Sequence, residues 1–245
     1  MKENLHIFYV PEAATASAGT LIYLSEEEAA HCSRVLRLKT SDFITVIDGK
    51  GKMYTAQLSE CRKDTVSAVI TEVFTDVYQC PYYNHIGIAP TKNIDRFEWF
   101  VEKAAEFGID EITPLLCQHS ERKVLKLDRV EKILVSAIKQ SGNAVMPKLN
   151  PLTPFDSFMK NVAAESAVKL IAHCESGMEK VFFGNAVKKA ERSITLIGPE
   201  GDFSLEEIAL ALKSGFKAVT LGQTRLRTET AGVSVCVFLS CINNS

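Results

Sequence analysis

The stretch from Ile194 to Gly222 constrains the fold more than any other part of this chain. Apolar residues 194–197 run into Gly198-Pro199-Glu200-Gly201, and Ser204 with Glu207 three residues later forms a capping box. Residues 205–214 then read as a helix stopped by Gly215, and residues 217–222 as a second strand. Strand, helix and strand in this order make a β-α-β unit, whose strands run parallel when they share a sheet. Gly198 and Gly222 then fall just past the carboxyl ends of parallel strands, where open α/β sheets place their ligands. A glycine there lets the backbone approach a flat ligand with no Cβ in the way, although either turn alone is also ordinary turn chemistry. What favours a site is the loop after Gly222. Gln223-Thr224-Arg225-Leu226-Arg227-Thr228-Glu229-Thr230 crowds arginines, threonines and a glutamate between that strand and a closing apolar helix over residues 231–239. Burying so many polar groups costs free energy unless a ligand, or each other, satisfies them.

The alternation extends upstream. Residues 85–89 read as a strand, and Ile94, Phe97, Val101 and Ala104 as a helical stripe ended by Gly108. Residues 111–116 read as the next strand, with Pro114 near an edge or end. Asp128 is the expected N-cap of a further helix, with Glu131 three residues on. Residues 168–172 read as a strand and residues 178–189 as a helix. Residues 77–245 are therefore expected to form an α/β domain with a parallel sheet. Residues 1–73 read differently, as short strands rich in β-branched and aromatic residues at 7–10, 43–47, 53–58 and 65–70. Asp48-Gly49-Lys50-Gly51 is a hairpin signal, and Ser25 with Glu28 caps one helix running towards Val35.

The 245 residues fit two unequal domains at roughly 150 residues per domain, and 46% hydrophobic with 24% charged residues excludes a disordered chain. No apolar run approaches the roughly 20 residues of a membrane-spanning helix, and the amino terminus lacks a secretory signal, so a cytoplasmic protein without a membrane partner is expected. The seven cysteines, with no C-x-x-C pair, read as small core residues rather than disulfides or zinc ligands, and no metal is implied. A formal net charge of −2 gives no general attraction to polyanions. Nucleic-acid binding would have to rest on local basic patches.

The residues at the two glycine turns carry a resemblance. Ile197-Gly198-Pro199-Glu200-Gly201, Leu221-Gly222 and Leu226-Arg227-Thr228-Glu229-Thr230-Ala231 closely resemble the RsmE family of SPOUT-superfamily RNA methyltransferases, bacterial enzymes that methylate N3 of a uridine in small-subunit (16S) ribosomal RNA. The match continues through residues 31–37, Lys92-Asn93-Ile94-Asp95-Arg96-Phe97-Glu98-Trp99, residues 103–108, Ser120-Glu121-Arg122, Gln140-Ser141 and Pro147, in order along nearly the whole chain. The resemblance implies a PUA-like β-barrel ahead of a SPOUT-type α/β domain with a C-terminal trefoil knot. It also implies a homodimer and S-adenosyl-L-methionine bound in the knot, held around His173, Leu196, Ile197, Gly198, Gly201, Leu221, Gly222 and Leu226. The implied partner is small-subunit ribosomal RNA or the assembled small subunit. The chain departs from the family at Asp202, where a second glycine is usual, at Thr224-Arg225, and near Asn143, where an arginine is expected.

Uridine N3 carries a proton and is a poor nucleophile until that proton leaves. The expected catalytic pair is Arg227, stabilising negative charge on the uracil oxygens, and Glu229, which either accepts the N3 proton or holds Arg227. A carboxylate in the first turn of a helix is also favourable in its own right. Expected RNA contacts are Arg34 and Arg37, placed on one helical face, with Lys92, Arg96 and Arg122; Lys39, Lys50, Lys52, Arg62 and Lys63 are further phosphate candidates. Trp99 reads as a packing residue rather than a stacking platform. Two rival readings compete with this one. A nucleotide-dependent oxidoreductase needs a G-x-G-x-x-G turn, and a phosphate loop needs its own motif; neither occurs. A non-catalytic assembly factor with the same fold would show a degenerate cofactor pocket.

Overall fold

The computed structural model describes residues 6–62, 65–75, 77 and 80–244, so Lys63 and the first five residues lie outside the described residues. The chain forms two compact units: Met1–Gln79 with Val135–Met146, and Cys80–Leu134 with Pro147–Ser245.

The first unit holds a mixed five-stranded sheet of β1 (Ile7–Tyr9), β2 (Leu21–Tyr23), β3 (Phe43–Ile47), β4 (Met53–Cys61) and β5 (Val66–Phe74), in the order β1-β3-β4-β5-β2. β1 runs parallel to β3 and the other pairs are antiparallel. Alternation along β4 turns Tyr54, Ala56 and Leu58 inward, where they meet Phe8, Ile44, Val46, Val66, Ala68 and Ile70 in one core. The β3–β4 hairpin is tied by Asp48, whose Oδ1 accepts from the backbone nitrogens of Lys50 (2.7 Å) and Lys52 (3.0 Å). Helix α1 (Glu26–Ala30) begins at Ser25, whose hydroxyl accepts from Glu28 N. The helix widens into a π turn over His31–Val35 and is over by Leu36. Arg37 follows with φ +54°, so Arg34 and Arg37 do not share a helical face. Asn143, at another of the departures from the family, fixes a turn by accepting from Val145 N at 3.0 Å.

The second unit is a sheet of parallel pairs: β6 (Tyr83–Ile88), β7 (Glu111–Leu116), β8 (Lys148–Leu149), β9 (Thr153–Pro154), β10 (Val168–Ala172), β11 (Val181–Phe182), β12 (Arg192–Ile197) and β13 (Lys217–Thr220). The order is β11-β13-β10-β12-β6-β7-β8, with β9 also on β7. The helices are α2 (Ile94–Glu106), α3 (Leu127–Ser141), α4 (Phe155–Asn161), α5 (Phe183–Ala186), α6 (Leu205–Lys213) and α7 (Thr228–Asn244). Residues of α3 from Val135 on belong to the first unit. α2 buries Phe97, Phe100, Val101, Ala104 and Ala105, and Gly108 follows it with φ +76°. One core joins Leu115, Ile171, Ile194 and Leu196 of the sheet to Phe155, Phe158 and Met159 of α4 and to Ile208 and Ala211 of α6.

Three expectations change. α3 starts at Leu127, so Asp128 lies in its first turn, where an acid suits the helix dipole, rather than at the N-cap. Residues 178–189 are not one helix; only Phe183–Ala186 is helical, after the short β11. Phe182 and Phe183 there both pack on Phe238 of α7, at 5.3 and 5.7 Å between ring centroids, and Gly184 adds no helix-forming preference. Finally, Cys32, Cys117 and Cys236 are buried, whereas Cys174 and Cys241 are exposed and do not serve the core.

Candidate active site

The carboxyl ends of β10, β12 and β13 open into a cavity of about 670 Å³, a volume within the usual range for small-ligand sites. Its walls come from three successive strand ends: Ala172-His173-Cys174, Ile197-Gly198-Pro199-Glu200, and Val219 through Thr228. His173, Ile197, Gly198, Leu221, Gly222, Leu226 and Arg227 thus converge on one space from positions up to 54 residues apart in the chain, as their numbering shows. Leu196 and Gly201 do not line it. The Leu196 side chain is buried in the core, and Gly201 packs beneath the loop, where an added Cβ would stand 3.1 Å from His119 Cβ.

Local chemistry shapes each wall. Ser204 and Glu207 complete the capping box that starts α6, with Glu207 N donating to Ser204 Oγ (3.2 Å) and Ser204 N to Glu207 Oε2 (2.9 Å). The other oxygen of Glu207 accepts from Gln118 N at 2.8 Å. A Cβ on Gly198 would press on the Phe203 ring and backbone at 3.1–3.2 Å, so only glycine fits this turn without a shift. Thr228, at the start of α7, donates its hydroxyl to the Gly198 carbonyl at 3.0 Å. Asp202 sits in the left-handed region, φ +65°, a conformation that explains why glycine also suits the position. Its carboxylate accepts from Cys174 N (2.7 Å) and from Phe203 N (2.9 Å), fastening the loop after β12 to the loop after β10.

The polar groups on the walls are unevenly satisfied. His173 is 6% exposed, yet neither ring nitrogen has a partner among the described residues. Burial, then the nearby charge of Lys180, holds its pKa below the ordinary histidine value and favours the neutral ring. Lys180 straps this loop, donating to the carbonyls of His173 (2.8 Å) and Glu175 (2.7 Å). Arg225 donates to the Glu200 carbonyl at 3.2 Å. The Arg227 guanidinium has no hydrogen bond or ion pair among the described residues, and it borders a second cavity shared with Asp95, Arg96, Trp99, Glu229 and Thr230.

Glu229 therefore stands beside the main cavity, not in it. It is 8% exposed, its Oε1 lies 3.9 Å from Arg96 Nε, and its Oε2 has no partner. The carboxylate pairs with Arg96 rather than with Arg227. Trp99 is 43% exposed and is not a core packing residue. Arg122 is engaged internally, its guanidinium donating to the carbonyls of Thr91 (3.0 Å) and Lys92 (2.6 Å). Lys92 pairs with Glu121 at 2.7 Å, and its backbone nitrogen donates to Glu200 Oε1 at 3.1 Å. Sequence reasoning did not single out Lys180 or the tie made by Asp202, and it gave Thr228 no role beyond its place in the motif after Gly222. Asp202 left a signal, as a departure from glycine at a turn, and Lys180 left none.

Residues 79–240 match the family of RNA methyltransferase domains, and residues 24–71 match the RNA methyltransferase PUA domain. A crystal structure described as a probable rRNA-methyltransferase from Porphyromonas gingivalis is 34% identical, with a TM-score of 0.85 over 98% of this chain and 99% of that one. The ribosomal RNA small subunit methyltransferase E of Neisseria gonorrhoeae, solved bound to S-adenosyl methionine, is 27% identical with a TM-score of 0.86 over 98% of each chain. The enzyme of the same name from Aquifex aeolicus is 27% identical over 96% of this chain and 99% of its own length. With its sheet, its amino-terminal PUA domain and its glycine turns, the chain belongs to the RNA methyltransferase family, among the ribosomal RNA small subunit methyltransferases E.

Proposed function

We propose that this protein transfers the methyl group of S-adenosylmethionine to N3 of a uridine in small-subunit ribosomal RNA, working in the cytoplasm as a homodimer. The observation that carries the reading is the cavity at the carboxyl ends of β10, β12 and β13, with its unpartnered buried histidine and with Arg227 on its border. The family also implies that the segment after β13 threads a loop to form a trefoil knot. The bond from Thr228 to the Gly198 carbonyl, which fastens the start of α7 to the turn after β12, is in keeping with that path.

The residues present fit the methyl donor. A neutral His173 ring offers one donor and one acceptor, both without protein partners. Gly222, with φ +151°, has nothing within 4 Å of the place a Cβ would take, leaving its backbone open to the cavity. The donor supplies an electrophilic methyl on a sulfonium, and the carbon–sulfur bond breaks with its electron pair passing to sulfur as nitrogen takes the methyl. The chain's own task is to supply a deprotonated N3 and hold it in line. Arg227, with no internal partner, is free to donate to a uracil carbonyl and so to favour the N3 anion. Glu229 Oε2, equally without a partner, is the acceptor for the N3 proton. The N3 proton leaves, and the methyl arrives, along the same in-plane direction, so the proton passes to Glu229 first and the freed lone pair then turns towards the main cavity to take the methyl.

Two measurements test this. S-adenosylmethionine should raise the unfolding temperature, because a ligand that binds only the folded form stabilises it. Ribosomal RNA from cells lacking the gene should lose 3-methyluridine in nucleoside mass spectrometry. No thermal shift at saturating donor and unchanged 3-methyluridine would leave a non-catalytic assembly role.

A further inference from the structure

Beside the main cavity lies a shallower one of about 370 Å³, walled by Asp95, Arg96 and Trp99 of α2 and by Arg227, Glu229 and Thr230 at the start of α7. Arg227 borders both. The aromatic residues flanking Trp99 on α2, Phe97 and Phe100, are fully enclosed, whereas the indole leaves 43% of its surface in solvent. Core packing does not account for a large aromatic residue placed there. Glu229 is more than nine-tenths buried, yet Oε2 meets no donor, which is unfavourable unless a ligand brings one. Arg96 faces the same carboxylate from α2 at 3.9 Å and keeps 40% of its side chain exposed, so part of its guanidinium fork is available to a second acceptor.

We infer that this second cavity seats the uracil base itself, stacked on the Trp99 indole, with N3–H donated to Glu229 Oε2 and the two ring carbonyls accepting from Arg96 and Arg227. The inference rests on the reading of the chain as a uridine methyltransferase and adds Trp99 and Arg96 to the acceptor site. An aromatic face supplies stacking that any base accepts, so selectivity must come from the edge. Uracil presents acceptor, donor, acceptor along O2, N3 and O4, matching guanidinium, carboxylate, guanidinium. Cytosine presents a lone pair at N3 to the carboxylate and an amino group to a guanidinium, and both contacts repel. A methylated N3 has no proton to give and sets a methyl group against Glu229, so once that carboxyl has passed its proton to solvent the product binds more weakly than the substrate.

Trp99 is the only tryptophan in the chain, so its fluorescence reports this cavity directly. Full-length protein is titrated with uridine, cytidine and 3-methyluridine, with and without S-adenosylmethionine, while emission is recorded. Saturable quenching by uridine is expected, with 3-methyluridine and cytidine at least about tenfold weaker. In parallel, methyl transfer to small ribosomal subunits lacking the modification is measured for Trp99→Ala and Trp99→Phe. The alanine variant should lose at least about tenfold in kcat/KM at unchanged donor affinity, and phenylalanine should recover most of it, since a flat ring is what the site requires. Equal quenching by all three nucleosides, or full turnover in Trp99→Ala, overturns the inference. So does an emission shift that follows protein concentration instead of nucleoside, which would mean that a second copy of the chain covers this face. If donor binding and 3-methyluridine formation persist while the Trp99 measurements stay flat, this inference alone fails; if the donor never binds, the proposed activity fails, and the donor-free titration still reads the base site.

Discussion

The two ends of the parallel sheet carry similar side chains in opposite states of satisfaction. At the amino end, Glu111 of β7 accepts from Lys148 Nζ (2.8 Å), from Asn150 Nδ2 (2.6 Å) and from the Tyr83 hydroxyl. Asn150 also donates to Thr113, which pairs with His85 Nε2 at 2.8 Å, and the Arg192 guanidinium lies 3.8 Å from the centre of the Tyr83 ring. Burial alone would raise the Glu111 pKa, but the hydrogen bonds from Lys148, Tyr83 and Asn150 outweigh it and hold the group at about 2. Among the described residues, His85 Nδ1 and the Asn84 side-chain oxygen are left unpaired there. At the carboxyl end both nitrogens of His173, one oxygen of Glu229 and the whole Arg227 guanidinium lack partners among the described residues. A polar cluster that satisfies itself contributes stability; one that does not is shaped for something that arrives.

The largest effect should come from the least satisfied end. Glu229→Gln removes the proton acceptor while keeping shape, and kcat for methyl transfer should fall by about 10²–10⁴. Donor affinity, read by calorimetry, should stay unchanged because Glu229 lies outside the main cavity. Full turnover in this variant would reduce Glu229 to a favourable charge in the first turn of α7.

Local signals were legible in the sequence, and long-range pairings were not. The capping box of Ser204 and Glu207 closes as expected because both bonds lie within three residues. The turns at Gly198 and Gly222 were legible because a strand end and a helix start fix where a turn must lie. The pairing of Glu229 with Arg96 spans more than a hundred residues, and no spacing rule announces it. Nor does spacing announce that the Arg122 guanidinium, expected near the RNA, also donates to the carbonyls of Thr91 and Lys92 some thirty residues away. The helix expected over residues 178–189 failed because its apolar residues follow Phe238, a tertiary partner, and not a helical stripe. Trp99 misled in the opposite direction, because a hydrophobic residue on an amphipathic helix is ordinarily core.

At the amino end the comparison predicts acid lability. Burial, with Lys148 and Arg192 adding to it against the pull of Glu111, lowers the His85 pKa to about 4. The folded value lies below the unfolded one, so as pH falls the unfolded chain takes up the proton first. Stability is intact above pH ~6.5 and is lost between there and pH ~4, by roughly 2–3 kcal/mol at pH ~4.5. Glu111 adds to the loss only at lower pH, as its own proton goes on between its ordinary range and about 2. Urea unfolding at neutral and acid pH measures the slope. His85→Gln, which can still pair with Thr113, should flatten the upper part of it, and an unchanged slope would place the acid sensitivity elsewhere.

His173→Ala takes the unsatisfied ring from the main cavity. Donor affinity should drop by about tenfold, the worth of one or two hydrogen bonds to a buried partner, with thermal stability of the free protein unchanged or slightly raised. A variant that binds the donor as tightly as the parent would show that His173 is unsatisfied for some reason other than the ligand.

The smallest effect is expected at Asp202, where the two ends of the comparison meet in one residue: a fully satisfied carboxylate inside the open end. Asp202→Gly restores the residue usual in the family and relieves a left-handed backbone, φ +65°, that an L side chain adopts at some cost. It also removes the acceptor for Cys174 N and Phe203 N, two bonds that hold the walls after β10 and β12 at a fixed separation. Relief of strain, about 1 kcal/mol, offsets only part of the loss of two hydrogen bonds at about 1 kcal/mol each, so Tm should fall slightly. The loosened walls should still weaken donor binding a few-fold, because ordering them is then left to the ligand. Asp202→Asn keeps one acceptor oxygen and tolerates the same φ, so it should fall between the two. Equal affinities for aspartate, asparagine and glycine would show that the His173 wall is held by the Lys180 strap alone.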